Sequence, residues 1–228
     1  MPFVKRNPPE WDELLRGQAM PRRGVHVTDC LGCPRRKRLV VEGAAIDLPK
    51  LEARLSGSIL HHALAKVKPE TAEIDVGGTL FGLDIVGSID RIADGFTVTV
   101  DYKAGEGKGA GRTIPDAPYA EEVWQQETYR YLLEQAGNET TGWTIYYRWD
   151  KAWYAYDHTG PVWTEAALGD FRPHGGAYSA REIAHQCASE TPAAALPLVG
   201  ATQKIGKGTA CDYCEVVGPC ADATEIEL

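Results

Sequence analysis

The residues best suited to chemistry lie in a predicted β-hairpin that runs from Gly87 to Lys103. Side chains alternate along a strand, so Asp101 and Lys103 project from one face of the second arm. The hairpin turn brings Asp90, on the first arm, back toward them. Two carboxylates beside one ammonium favour a hard divalent cation that holds a phosphate, with the lysine steadying the attacking water or the developing charge. The alternative is a solvated edge strand whose charges keep the sheet soluble.

The hairpin is predicted to belong to an antiparallel meander that positions these side chains. Its turn is expected at Asp94–Gly95, and a strand over residues 96–102 follows. Before it, strands are predicted over 72–76 and 79–92, separated by a turn at Gly77–Gly78. A glycine-rich loop over 104–118 comes next and is long enough to move over a substrate.

Two predicted helices accompany the meander. The first covers Leu48–Val67, through an apolar stripe at helical spacing, and carries His61. The second covers Tyr119–Gln135 and places Gln125 and Tyr129 on one face, because residues four apart point the same way. Taken alone, a histidine on a helix is more often an ordinary structural feature than a binding site. The same holds for polar residues along one side of an amphipathic helix.

An aromatic-rich strand pair over 141–149 and 152–156 is predicted to close the sheet. Aromatic side chains beside a cleft can stack on bases, but strands favour aromatic residues for structural reasons, and the structural interpretation is preferred. A last helix over 178–189 precedes a linker over 191–208 that is rich in proline and glycine.

Composition and charge limit the class of protein. The 228 residues carry a formal net charge of -8, which argues against a protein that coats nucleic acid. Local fields matter more than the total, however, and the run of four basic residues at 35–38 could bind DNA. No apolar stretch of about 18 residues occurs, and the first residues lack the apolar region of a secretory signal. We therefore expect a cytoplasmic protein without a membrane partner.

The cysteines predict a metal centre. The spacing C-x2-C-x5-C near the C-terminus places three thiols within ten residues. Two ligand sets remain open from spacing alone. A zinc site would use Cys30 and Cys33 with Cys211 and Cys214, whereas a [4Fe-4S] cluster would use Cys33, Cys211, Cys214 and Cys220. Either centre joins the two ends of the chain.

Six short motifs follow the order found in RecB-type nucleases of the PD-(D/E)XK superfamily, which the chain resembles over about residues 30–220. The two cysteine motifs resemble the split iron–sulfur signature of the AddB nuclease domain and of the CRISPR-associated Cas four exonucleases. The small size is similar to the latter. The motifs are Gly57-x-x-x-His61, Gly87-x-x-Asp90, Asp101-x-Lys103, Gln125-x-x-x-Tyr129, Cys33-Pro-Arg-Arg and Cys211-x2-Cys214-x5-Cys220.

The resemblance implies roles for the hairpin residues. His61, Asp90 and Asp101 would bind Mg2+ or Mn2+, together with the backbone carbonyl of Tyr102. Lys103 would position the hydrolytic water or stabilise charge on the phosphorane. The chain departs from the commoner pattern at Asp101, where glutamate is more frequent, and the shorter side chain reaches less far toward a metal.

The resemblance also implies contacts outside the hairpin. Gln125 and Tyr129 would contact the DNA backbone, and the basic run adds Arg35 and Arg36 as DNA-binding candidates. A structural [4Fe-4S] cluster would be held by Cys33, Cys211, Cys214 and Cys220. The neighbouring Cys30 leaves the N-terminal ligand open, although Cys33-Pro-Arg fits the family pattern better.

Together these features predict an α/β protein with a PD-(D/E)XK, restriction-endonuclease-like core: a central mixed sheet flanked by helices. The catalytic core is expected over 48–160, the iron–sulfur lobe over 20–47 and 178–220, and a tail over 221–228. The expected activity is metal-dependent DNA exonuclease, on single-stranded ends from 5′ to 3′. The expected setting is CRISPR adaptation, with an integrase complex as a partner, or phage or host end processing. The alternative is an iron–sulfur or zinc-stapled protein that binds nucleic acid or assembles complexes without cleaving.

Overall fold

The computed structural model describes most of the chain between residues 24 and 216. The described residues are 24–44, 46, 61, 63–67, 69–93, 95, 97–104, 116–149, 152–205, 208–209, 211, 214 and 216. Most of the predicted helix over 48–67 lies outside this part, including Gly57 of the Gly57-x-x-x-His61 motif. The loop residues 105–115 lie outside it as well. His61 and residues 63–65 are helical, as predicted.

A mixed six-stranded sheet forms the centre of the fold, as predicted. Strand β3 pairs antiparallel with β2 along one edge, while β1 (parallel) and β4 (antiparallel) share its other edge. Strand β4 then pairs in parallel with β5, and β5 pairs antiparallel with β6. The strands are β1 (Val25–His26), β2 (Ala72–Leu80), β3 (Leu83–Ala93), β4 (Val98–Ala104), β5 (Gly142–Trp149) and β6 (Ala152–Thr159).

The turn predicted at Gly77–Gly78 is wrong. Strand β2 runs through both glycines without interruption, and the chain reverses at Phe81 and Gly82, which have φ values of 58° and 74°. Two positive φ angles in succession are what a tight two-residue hairpin requires. Gly78 has a different reason to be glycine, since a Cβ there would lie 2.6 Å from the side-chain oxygen of Gln135. Gly78 therefore marks the close approach of helix residues Leu132 and Gln135.

Helices flank the sheet. The predicted helix over 119–135 is confirmed as α2 (Ala120–Gln135), and it ends before Gly137, whose φ is +85°. The others are α1 (Pro34–Val41), α3 (Glu165–Asp170), α4 (Ala180–Ala188) and the short α5 (Val199–Thr202). Helix α3 was not predicted, because its six residues carry too short a periodic pattern. A small two-stranded sheet follows, β7 (Lys204–Ile205) with β8 (Gly208–Thr209).

The main core lies between helix α2 and the sheet. Its centre includes Trp124 and Leu132 of α2, which are almost fully buried. They pack with Ile85 and Ile89 of β3. Burying side chains of this size contributes about 1.5–3 kcal/mol each, so this contact fixes α2 against β3 along most of its length.

The N-terminal and C-terminal parts of the described chain pack against each other. Helix α1 begins directly after Cys33, as predicted. Arg38 in this helix donates to the carbonyl oxygen of Ser189, and an isolated antiparallel bridge joins Ile46 to Val216. The predicted division into a core and a lobe stays a prediction. Among the described residues, no helix is long and apolar enough to cross a membrane.

The start of β5 gives a test of this packing. A methyl group at Gly142 would overlap the backbone carbonyl oxygen of His158 in β6, and a backbone atom cannot move aside as a side chain can. We expect Gly142→Ala to reduce the free energy of unfolding by about 3 kcal/mol, which lowers Tm by roughly 6–12 °C. Thermal unfolding monitored by circular dichroism measures this.

The matched control is Gly77→Ala, also in a strand. A Cβ at Gly77 would make only ordinary contacts, at 3.4 Å and 3.5 Å. A Gly142→Ala protein as stable as this control would contradict the close β5–β6 approach.

Candidate active site

A cleft of about 1010 Å³ opens where strand β3, strand β4 and helix α2 meet. The sequence motifs, scattered over about seventy residues, converge on its walls. The lining residues that were predicted as site residues are His61, Asp90, Asp101, Lys103, Gln125 and Tyr129.

The two strands of the hairpin diverge at the site. Pairing between β3 and β4 ends at the partners Arg91 and Val100. The next position along this register would set Asp90 opposite Asp101. Instead, the strands separate and the backbone N–H of Tyr102 donates to Oδ2 of Asp90 at 2.9 Å. The two carboxylates therefore lie at the fork between the strands, where a ligand can reach them.

Asp101 and Lys103 form a buried ion pair on the face of β4 that is turned to α2. Oδ2 of Asp101 lies 2.8 Å from Nζ of Lys103, and Asp101 is only 3 % exposed. This oxygen is buried and makes no other polar contact, so its charge depends on the ammonium of Lys103 alone. An ionised oxygen without a donor is costly to bury, which is a condition that a cation would relieve.

His61 bridges the two arms of the site. Its Nδ1 lies 3.3 Å from Oδ1 of Asp90, and its Nε2 makes a short hydrogen bond with the backbone carbonyl oxygen of Tyr102. The hydrogen bond with Asp90 is the main cause that raises the pKa of His61 above its ordinary value, against the lowering effect of burial. The histidine thus gathers three of the predicted metal-binding groups around one ring.

The two carboxylates are unlike each other in charge. Burial raises the pKa of Asp101 to about 6, and the nearby charge of Asp90 adds to this effect. Burial alone would also raise the pKa of Asp90, but hydrogen bonds with His61 and the Tyr102 N–H outweigh it and hold that pKa below the ordinary value. Asp90 is therefore readily ionised, whereas Asp101 loses its proton only at a higher pH.

These donors fit a hard divalent cation. Carboxylate and carbonyl oxygens are its usual ligands, and the buried Oδ2 of Asp101 lies among them. Within the described residues, no three His, Cys, Asp or Glu side chains already stand in a metal-binding arrangement. To bind a metal through one ring nitrogen, His61 would give up the contact that this nitrogen now makes, with Asp90 for Nδ1 or with the Tyr102 carbonyl for Nε2.

Helix α2 supplies a polar stripe that faces the cleft. Nζ of Lys103 donates to Oε1 of Gln125 at 3.3 Å, and Nε2 of Gln125 donates to the hydroxyl of Tyr129 at 3.0 Å. Burial raises the pKa of Tyr129 to about 12, so its hydroxyl keeps its proton. The Tyr129 ring passes so close to Gly87 that a Cβ there would lie 2.6 Å from the ring. This contact explains the glycine of the Gly87-x-x-Asp90 motif.

Glu122 is a site residue that the sequence analysis missed. It lies in the first turn of α2, and its Oε2 accepts hydrogen bonds from the hydroxyl of Tyr147 and from N of Tyr119, the latter at 3.2 Å. Burial raises the pKa of Glu122 to about 7, although the charge of Lys103 opposes this. The signal was available, since Glu122 precedes Gln125 by three residues and so shares its helix face.

The basic run on helix α1 serves the fold in part. Arg35 is only 8 % exposed, and its Nε donates to the carbonyl oxygen of Leu196 at 2.8 Å, while its guanidinium also reaches that of Ala194 at 3.1 Å. A guanidinium committed to buried backbone oxygens has few donors left for phosphate. Arg36 is half-exposed, and its contact with DNA stays a prediction.

The predicted metal-centre cysteines come together in part. A Cβ at Gly200 would lie 3.1 Å from Sγ of Cys211 and 3.6 Å from Cβ of Cys33, so both cysteines border this glycine. The N–H of Cys214 donates to the carbonyl of Cys211 at 3.1 Å. The fourth predicted ligand, Cys220, lies outside the described residues.

The other two cysteines are engaged elsewhere. The thiol of Cys30 is fully buried and donates to the carbonyl of His26 at 3.6 Å. The thiol of Cys187 donates to the carbonyl of Asp29 at 3.7 Å. Burial raises the pKa of both thiols, that of Cys187 to about 12. Both thiols are therefore protonated in the metal-free protein.

Comparisons with known proteins agree with this geometry. The family described as the PD-(D/E)XK nuclease superfamily matches residues 45–221. The crystal structure of SSO0001 is similar with a TM-score of 0.51 and 19% identity, over 69% of this chain and 81% of that one, which shows a shared fold. A crystal structure from Eubacterium rectale, of a protein assigned provisionally as an exonuclease, covers 100% of both chains at 12% identity. Its TM-score of 0.41 is too low to establish a common fold. No curated protein matches the sequence significantly.

The ionisation of the site predicts how stability depends on pH. Asp101 and Glu122 have raised pKa values, so the folded protein binds more protons than the unfolded chain as each group titrates. His61, whose pKa is also raised, acts in the same direction. Stability of the metal-free protein should therefore fall as pH rises from about 5 to 8. We expect Tm in EDTA to be lower at pH 8 than at pH 6 by about 4 °C or more.

The control for this measurement is Asp101→Asn, which cannot ionise at this position and should show a smaller difference in Tm. Mn2+ should stabilise the wild-type protein more at pH 8 than at pH 6, because protons and the cation compete for the same groups. An equal or higher Tm at pH 8 in EDTA, or an unchanged pH dependence in Asp101→Asn, would contradict the assignment of charges.

Proposed function

The chain belongs to the PD-(D/E)XK nuclease superfamily, and we propose that it is a metal-dependent DNA exonuclease. The observation that carries the proposal is the fork between β3 and β4, where Asp90, Asp101 and Lys103 meet in one open cleft. Two carboxylates and an ammonium in this arrangement suit hydrolysis of a phosphodiester bond. Membership of this superfamily supports hydrolytic nuclease chemistry.

A divalent cation is part of the proposal. Nucleases of this superfamily typically use Mg2+ or Mn2+. Here Asp90, Asp101, His61 and the carbonyl of Tyr102 would hold the ion. When bound, such an ion lowers the pKa of water and neutralises charge on phosphoryl oxygens.

The remaining residues would orient and stabilise the reacting phosphate. Burial by itself would lower the pKa of Lys103, but the charges of Asp101, Glu122 and Asp90 outweigh it and hold the pKa above its ordinary value. Lys103 therefore acts as a cation that stabilises charge developing on the phosphate, rather than as a base. The hydroxyl of Tyr129 keeps its proton and can donate to a phosphate oxygen. Gln125 hydrogen-bonds to both Lys103 and Tyr129 and so holds the two side chains in position.

The substrate we propose is the single-stranded end of DNA, degraded from 5′ to 3′. This part of the proposal rests on the resemblance to the Cas four exonucleases, as does a role in CRISPR adaptation with an integrase complex as partner. Processing of phage or host DNA ends is the other setting consistent with the same chemistry. Backbone contacts by Arg36 would add affinity without base specificity.

We also propose a structural [4Fe-4S] cluster bound by Cys33, Cys211, Cys214 and Cys220. Cys33 and Cys211 flank Gly200, where the absence of a side chain leaves room beside the sulfur atoms. The hydrogen bond from Cys30 to His26 and its burial argue against the zinc alternative that uses Cys30. Such a cluster would hold the ends of the chain together, in the region where Ile46 pairs with Val216.

A protein that binds nucleic acid or assembles complexes without cleaving is the second candidate. The site argues against it, because burying the Asp101 carboxylate costs stability and is of no use to a binding module.

The catalytic proposal is tested by Lys103→Ala. Loss of the ammonium should slow single-turnover cleavage of end-labelled single-stranded DNA by on the order of 100-fold, which corresponds to about 3 kcal/mol. Mn2+ and DNA affinity should change little, because the variant keeps both carboxylates. Lys204→Ala, at an exposed lysine, is the control and should cleave normally. Near-normal cleavage by Lys103→Ala would mean that the hairpin residues take no part in catalysis.

The cluster proposal is tested by the colour and metal content of anaerobically purified protein. We expect brown protein with broad visible absorption and about four irons per chain. Cys220→Ser should lose the colour and the iron, whereas Cys30→Ser should keep both. Colourless protein that holds one zinc, and that keeps it after Cys220→Ser but loses it after Cys30→Ser, would support the zinc alternative instead.

A further inference from the structure

Three features of the fold place Glu122 on the side of helix α2 that faces Lys103. It precedes Gln125 by three residues on the same face of α2, and Gln125 accepts from Nζ of Lys103. Its carboxylate accepts from the hydroxyl of Tyr147. Tyr147 in turn is the register partner of Lys103 across the parallel β4–β5 pair, so the two side chains leave the sheet on the same face.

The surroundings make this carboxylate a constrained one. Tyr147 is only 3 % exposed and packs in the buried cluster of β5 that Val123 of α2 covers. The N–H of Tyr119, the N-cap residue of α2, donates to the same Oε2. The carboxylate is thus fixed between the first turn of α2 and strand β5, directly behind the cleft.

Lys103 needs such a neighbour. Asp101, which gives it its closest ion pair at 2.8 Å, is also a member of the proposed metal-binding set. An aspartate shared with a cation attracts the ammonium less strongly, because part of its charge is already compensated. Glu122 does not belong to the proposed set, and above about pH 7, where it is ionised, its negative charge remains for Lys103.

We propose that Glu122, held by Tyr147, is a positioning residue that keeps the Lys103 ammonium directed into the cleft while Asp101 is engaged elsewhere. This inference rests on the proposed nuclease function and extends it to Glu122, which belongs to none of the six sequence motifs.

The variant that isolates the charge is Glu122→Gln. The amide oxygen of glutamine can still accept from Tyr147 and Tyr119, so the shape and the helix cap are preserved while the negative charge is lost. Glu121→Gln is the matched control, because it removes an acid from the same helical turn. Glu121 accepts from the backbone N–H of His174 at 2.6 Å and lies 3.3 Å from the His174 ring, so its carboxylate is engaged with a residue outside the cleft.

The first measurement does not depend on nuclease activity. Thermal unfolding in EDTA is compared for the wild type, Glu122→Gln, Lys103→Met and the double variant. If Glu122 acts on Lys103, the fall in Tm of the double variant is smaller than the sum of the single falls by about 2 °C or more. The same cycle with Glu121→Gln should be additive. Lys103→Gln replaces Lys103→Met if the latter does not fold.

The second measurement is single-turnover cleavage of single-stranded DNA with saturating Mn2+, alongside Mn2+ and DNA affinities. Glu122→Gln should cleave about tenfold more slowly with both affinities unchanged within twofold, and Glu121→Gln should match the wild type. Tyr147→Phe should show a smaller loss of rate, because Glu122 keeps its charge but loses one anchor.

The outcomes separate this inference from the function on which it rests. Additive Tm shifts, or wild-type cleavage by Glu122→Gln, would overturn the positioning role. Loss of Mn2+ affinity in Glu122→Gln would also overturn it, since Glu122 would then be a metal ligand. If the Tm shifts of the variants are coupled but the wild-type protein cleaves no DNA, the interaction of Glu122 with Lys103 stands and the nuclease proposal is rejected.

Discussion

The burial of Asp101 against Lys103 is the interaction on which the rest of the site depends. A carboxylate that is 3 % exposed must be compensated, and one lysine at 2.8 Å does this only in part, because Asp90 adds a second negative charge nearby. The surrounding groups can be understood as responses to this imbalance. His61 and the Tyr102 N–H satisfy Asp90, while one oxygen of Asp101 keeps no hydrogen-bond donor. The structure is therefore prepared for one more positive charge at the fork of the strands.

The sheet order makes this arrangement possible. Strand β4 lies between an antiparallel and a parallel neighbour, so it can leave β3 after Val100 without losing its support from β5. Helix α2 then closes over the exposed face and brings Gln125 to Lys103. Two glycines permit the close approach, Gly78 beneath the end of the helix and Gly87 beneath Tyr129. Fold and site thus depend on the same helix-to-sheet contact.

Short-range patterns predicted much of this from sequence. Strand alternation placed Asp101 and Lys103 on one face, and helical spacing placed Gln125 with Tyr129, because these relations depend only on local backbone geometry. The position of the hairpin turn after β2 could not be predicted from local backbone geometry. Gly77–Gly78 carries a strong local turn signal, but its role is decided by Gln135, more than fifty residues away.

Two other features could not be predicted for the same reason. Arg35 was expected at a DNA-binding surface, yet its guanidinium binds the carbonyl oxygens of Leu196 and Ala194, about 160 residues later in the chain. Glu122 belonged to no recognised motif; its spacing from Gln125 placed it on the same helix face, but its relation to Lys103 appears only when Tyr147 is placed opposite Lys103 in the sheet. Charge and residue type are visible in sequence, whereas the partner that gives a buried charge its role is fixed by tertiary packing.

The most direct test of the central claim is the position of a bound cation. A crystal soaked in Mn2+ should give an anomalous difference peak at the fork of β3 and β4, within about 2.5 Å of carboxylate oxygens from both Asp90 and Asp101. The peak should be missing from Asp101→Asn crystals soaked in the same way. Mn2+ peaks elsewhere on the protein, with none between these two carboxylates, would contradict the account.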